Sequence, residues 1–129
     1  MQQFNLTDTP TGRKFSFMGR VISDAYDKKD KAGIIVYESE DGRIFETNIF
    51  SGESCINDFD DFTEFKTINL WYGDDDIIKA SGEDKVDNYR MFLRFMVLLV
   101  KSNDQRMRKT FEEYQNDFEH AFNYLKSRS

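Results

Sequence analysis

The sequence predicts an α+β fold. It reads as a small antiparallel sheet of about four strands, then a C-terminal antiparallel helical hairpin, with a short helix near residues 55–65. Three observations carry this reading. Two β-prone runs flank Asp41-Gly42. Phenylalanines recur every third residue between Ile56 and Phe65. Apolar residues of the last third fall on one helical stripe.

The first twelve residues end in Thr9-Pro10-Thr11-Gly12, a turn signal, and are expected to be loose. Lys14 to Ala25 alternates Phe15 and Phe17 with polar neighbours, then adds Val21 and Ile22, which suits one or two short strands. Tyr26 to Lys31 is a charged turn. Ile34 to Tyr37 and Arg43 to Phe50 enclose Asp41-Gly42, the strongest hairpin signal in the chain. In the second run Ile44, Glu46 and Asn48 share one face, and Phe45, Thr47 and Ile49 the other.

Ile56, Phe59, Phe62 and Phe65 repeat at three residues, a spacing that fits one face of a short helix with the aspartates turned to water. Ser54 is its expected cap. Lys66 to Tyr72 then reads as a further strand closed by Gly73. Ser81-Gly82-Glu83-Asp84 opens a helix whose second half, Phe95 to Val100, is apolar nearly all round. Ser102 to Gln105 breaks it. The final helix carries Met107, Phe111, Tyr114, Phe118, Phe122 and Leu125 at steps of 4, 3, 4, 4 and 3. One domain over residues 1–129 is expected, with 1–12 loose, 13–72 mainly β and 81–126 forming two helices.

Composition is compatible with a packed core. Aromatics make up 16% of the 129 residues, and 13 of them are Phe, which bury large areas each. A lone cysteine, Cys55, permits no internal disulfide. The N-terminal residues lack a basic-then-apolar signal segment, and no run approaches the ~18 apolar residues of a membrane span, so a cytoplasmic location away from membranes is the expectation.

The charge is uneven. The net value is −6, with −1 in residues 1–52, −8 in 53–87 and +3 in 88–129. An acidic middle third disfavours direct nucleic-acid binding, which needs Lys and Arg against phosphate, and favours a basic protein partner. Arg90, Arg94, Lys101, Arg106, Arg108 and Lys109 gather near the helical bend; some of them pair with Glu112 and Glu113 at helical spacing, as on a solvated helix face.

Motifs for chemistry are sparse. A calcium loop needs alternating oxygen ligands with Gly at its sixth position. Counting from Asp58 the third ligand position is Phe62 and the sixth residue is Thr63; counting from Asp74 they are Ile78 and Lys79. Glycosidase-type carboxylate pairs need a cleft, and these acids cluster in exposed-looking segments. For a Cys55–His120 dyad, His120 falls on the side of its helix opposite Phe111. No glycine-rich phosphate loop or metal-spaced Cys/His set is present. No catalytic residue, metal or cofactor is therefore assigned.

Leu70-Trp71-Tyr72-Gly73 runs into Asp74-Asp75-Asp76, aromatic contact area beside three steering charges. The expected partner-binding residues are Asp58, Asp60, Asp61, Glu64, Trp71, Tyr72, Asp74, Asp75 and Asp76. The expectation is a non-enzymatic inhibitor that masks a basic protein partner, in the physical style of immunity proteins against nuclease-type toxins. The alternatives are a phage or mobile-element inhibitor of a nucleic-acid-binding defence complex, and a self-associating adaptor that dimerises through its helices.

Overall fold

The computed structural model describes residues 1–29, 31–69, 95–115, 119 and 123. It is α+β, with a sheet of five antiparallel strands in sequential order: β1 (Gln2–Thr7), β2 (Lys14–Asp27), β3 (Ala32–Ser39), β4 (Ile44–Phe50) and β5 (Glu53–Phe59). Helix α1 spans Phe62–Asn69, residues 95–101 are helical, and α2 spans Gln105–Tyr114. No helix among the described residues is long and apolar enough to cross a membrane.

The turns follow their residues. Gly42 takes φ 88° in the β3–β4 turn, where the Gly42 amide donates to the Ser39 carbonyl at 3.0 Å. Ser51 and Gly52 both take positive φ, 50° and 84°, and join β4 to β5 as a two-residue hairpin turn whose twist matches the strands. At Gly19, β2 and β3 approach so closely that a Cβ would lie 2.4 Å from the Glu38 carbonyl oxygen.

Five expectations change. The sheet has five strands rather than about four. Residues 1–12 are not all loose, because Gln2–Thr7 pairs with Lys14–Gly19 as β1. The helix expected over 55–65 is a junction: Ser54 to Phe59 belongs to β5, and α1 starts at Phe62. Ser54 is no cap; Asp61 is, accepting from the Glu64 amide at 2.8 Å through its side chain and from the Phe65 amide at 3.2 Å through its carbonyl. Lys66 to Asn69, expected to begin a strand, continues α1. The proposed start of the next helix at Ser81 and the Phe118, Phe122 and Leu125 end of the last stripe lie outside the described residues.

Both faces of the sheet carry apolar side chains. Ile34, Val36, Ile44 and Phe59 form one core with Phe65 of α1, Phe95, Met96, Leu98 and Leu99 of 95–101, and Met107 and Phe111 of α2. A bulge at Ile22 turns β2 over, so that Ile22 and Ser23 both reach this side. Its polar groups are matched: Ser102 Oγ donates to the Ile22 carbonyl at 3.1 Å, and Ser23 Oγ donates to the Leu98 carbonyl at 3.0 Å. These bonds fasten the helical side to the sheet at the bulge.

The other face is concave. Phe4 of β1 meets Tyr37 of β3 at 4.8 Å between ring centroids, and Phe17 of β2 stacks on Phe45 of β4 at 4.2 Å. Rings from alternate strands touch only when a sheet curls strongly, so the five strands form a half-barrel. Asp8 and Thr9 tie its ends together. Asp8 Oδ1 accepts from the Ile56 amide at 2.8 Å, and the Thr9 amide donates to the Ser54 carbonyl at 2.8 Å. The Thr11 hydroxyl and then the Ile56 amide hold the Asp8 carboxyl below the usual carboxylate range.

Candidate functional site

The β5–α1 junction gathers Asp58, Asp60, Asp61 and Glu64. Strand β5 ends because Phe59 reaches the core beside Phe65, with ring centroids 5.4 Å apart, and the chain turns to start the helix. Glu64 Oε2 accepts from the Asp60 amide at 2.8 Å, while Asp61 caps the helix. Arg43, from the β3–β4 turn, grips the two remaining acids. Its Nη2 meets Asp58 Oδ2 at 2.8 Å and its Nη1 meets Asp60 Oδ1 at 3.0 Å. Asp60 and then Asp58 raise the Arg43 guanidinium above its ordinary value.

The register brings in more charge. Ile44 pairs with Phe59, so the β3–β4 turn leaves the sheet at the same end as the β5–α1 junction. Glu40 and Asp41 thus join the surface. The Ser39 hydroxyl donates to Asp41 Oδ1 and holds that carboxyl low. Six carboxylates, Glu40, Asp41, Asp58, Asp60, Asp61 and Glu64, share this end with Arg43. The neighbouring quartet of Arg20, Glu38, Asp104 and Arg106 is charge-balanced and leaves the acidic excess intact.

Four of the nine expected binding residues therefore sit together. Trp71, Tyr72, Asp74, Asp75 and Asp76 lie outside the described residues. Sequence reasoning missed Glu40, Asp41 and Arg43, which reach the site only through strand pairing. Of the expected basic tip, Arg106 turns inward to Glu38 and Asp104, whereas Arg108 and Lys109 are exposed. Cys55 is exposed on β5 opposite Asn48, and His120 is outside the described residues. Among the described residues, no group of three or more His, Cys, Asp or Glu converges as a metal site.

One acid behaves differently. Glu46 is 4% exposed in β4. Its Oε1 accepts from Asn48 Nδ2 at 2.9 Å and Asn57 Nδ2 at 3.3 Å, while Oε2 has no hydrogen-bond partner among the described residues. Burial outweighs these amides and pushes the carboxyl upward. The folded state therefore holds a proton that the unfolded chain releases near its ordinary pKa of ~4.3. Stability from this group is full below that value and falls as pH rises through the raised one. Glu46→Gln keeps a neutral amide in place of the acid. Denaturation midpoints from pH 4 to 8 should decline in the wild type relative to Glu46→Gln; parallel profiles would show that Glu46 ionises as freely as in the unfolded chain.

No protein-family model matches the chain, and comparison with curated proteins and with solved structures returns no significant match.

Proposed function

We propose that this chain is a non-enzymatic acidic inhibitor that docks on and masks a basic site of another protein in the cytoplasm. The observation that supports it is the fixed acidic end of the half-barrel. Internal hydrogen bonds from Arg43 and from the Asp60 and Glu64 amides hold the carboxylates in place before a partner arrives. Pre-ordered charges lose little side-chain entropy on docking, and their shared field speeds encounter with a cationic surface. The placement fits an immunity protein that covers the nucleic-acid groove of a nuclease-type toxin. An inhibitor of a nucleic-acid-binding defence complex would use the same surface against a longer basic groove. A self-associating adaptor would instead dimerise through its helices, and would stay dimeric on dilution in light scattering.

The test begins with capture of partners by tagged protein from host lysate at low and high salt. The captured basic protein is then titrated with the wild type and with the Asp58→Lys, Asp60→Lys double variant. Both side chains are at the surface, so the fold should persist. Affinity should drop about tenfold or more, with a shallower salt dependence. An unchanged affinity in a folded double variant would remove this end of the sheet from the interface.

A further inference from the structure

We propose that the hollow between β2 and the β3–β4 turn seats one arginine side chain of the basic partner. This rests on the docking reading above and names the chemistry of a second contact. The hollow measures about 340 Å³ and is lined by Phe17, Met18, Ser39, Glu40 and Asp41. That is the small end of the ~300–1,000 Å³ range of ligand pockets.

Its walls combine two chemistries. The Phe17 ring supplies apolar surface on the concave face, and Glu40 and Asp41 add negative charge among the lining residues. A long cationic side chain matches both, because it lays its methylene stem on apolar surface while its head meets carboxylates. A neutral apolar group would strip water from two charges without compensation, and an anion would be repelled.

Contacts among its neighbours fix several of the lining residues. The Glu40 amide donates to the Met18 carbonyl at 2.7 Å, which leans the turn on β2. The Phe17 ring is locked by stacking on Phe45 with a 7° interplanar angle and by edge contact with Tyr37 at 5.8 Å. Ser39 fixes the Asp41 carboxylate and keeps it ionised through neutral pH. Arg43, two residues further on, is committed to Asp58 and Asp60. Arginine is favoured over lysine because a planar guanidinium serves a ring and a carboxylate together, which a compact ammonium does not.

The experiment uses the whole ¹⁵N-labelled chain and three probes: N-acetyl-arginine amide, its neutral isostere N-acetyl-citrulline amide, and N-acetyl-lysine amide. Arginine amide should give saturable shifts centred on the Phe17, Met18, Glu40 and Asp41 amides. Citrulline amide should bind roughly tenfold more weakly or not at all. Glu40→Gln changes an exposed side chain and should weaken arginine binding roughly threefold or more. Shifts spread evenly over the acidic end, or an equal response to citrulline, would overturn the site. An equal response to lysine would overturn the choice of arginine. If the hollow ignores arginine amide while Asp58→Lys, Asp60→Lys still weakens the captured partner, this inference fails and the docking reading stands. If the hollow binds arginine and that double variant binds the partner normally, the docking reading at Asp58 and Asp60 fails instead.

Discussion

Phe65→Ala is expected to lower the unfolding free energy by ~3–5 kcal/mol, the range for truncating a buried aromatic. Phe65 is 1% exposed and joins three parts of the chain. Its ring meets Phe59 of β5 edge-on at 5.4 Å, Phe62 of α1 at 5.7 Å and Phe95 of the 95–101 helix edge-on at 5.8 Å. The cavity left by alanine would open between a strand end and two helices that close packing cannot readily bring together. Phe65→Leu keeps most of the volume and should cost less than half as much. Urea denaturation followed by circular dichroism gives both values. A loss under ~1 kcal/mol for alanine would mean that α1 does not depend on this contact. The functional consequence is local. Helix α1 carries Glu64 and takes Asp61 as its cap, so loosening Phe65 also frees the carboxylates that the junction holds in place.

Phe65 also shows how the sequence misled. Phe59, Phe62 and Phe65 do meet in space, as their spacing of three suggested. They do so across a strand end, a tight turn and a first helical turn, whose combined geometry mimics one helical face. Ile56 obeys strand alternation, pairs with Thr47 and faces the concave side. Short-range pattern alone cannot separate these cases, because the deciding term is the β4–β5 ladder.

The β3–β4 hairpin was legible for the opposite reason. Asp41-Gly42 supplies the turn locally, and the flanking runs are β-branched and aromatic. β1 was not legible. Phe4 and Leu6 alternate with polar residues, but Asn5 is a poor strand former and the segment is short, and the strand exists through pairing with Lys14–Gly19. The two-face assignment of β4 also held. Glu46 shares the face of Ile44, which belongs to the core, and is itself 4% exposed. Such burial depends on what packs above the sheet, which strand periodicity does not report.

The same division runs through the acidic site. Asp58, Asp60, Asp61 and Glu64 are close in sequence, so their clustering was readable. Their restraint was not. Arg43 reaches Asp58 from 15 residues away by strand register, and the same register adds Glu40 and Asp41. The notion of a bare acidic helix face is thus replaced by a surface in which each of the four junction acids makes an internal hydrogen bond.

Arg106→Gln should destabilise the chain by about 2 kcal/mol, the second largest single effect, because it leaves two partly buried carboxylates with Arg20 as their one remaining cation among the described residues, 3.0 Å from Glu38 and 3.6 Å from Asp104. Arg106 bridges Glu38 of β3 and Asp104, the N-cap of α2, and its guanidinium lies 5.0 Å from the centre of the Phe62 ring. The acid side chains are only 16% and 8% exposed, while Arg106 itself is 40% exposed, so water softens the loss below that of a fully enclosed pair. Arg106 holds the Glu38 carboxyl below its usual range. At Asp104 burial pushes upward, but Arg106 and the α2 amides outweigh it, and this carboxyl is also held low. Depressed carboxylates stabilise the fold above their unfolded values of about 4 and lose that contribution as pH falls through the folded ones. The gap between wild type and Arg106→Gln should therefore be widest near neutral pH and close progressively below pH ~4. Arg106→Lys should recover less than half of the gap, since an ammonium cannot fork between two carboxylates and cover a ring. A gap that is constant from pH 7 to pH 3 would assign the cost to lost packing on Phe62 rather than to charge. That outcome would leave α2 held to the sheet chiefly by Met107 and Phe111, with the quartet as a surface ornament of little energetic weight.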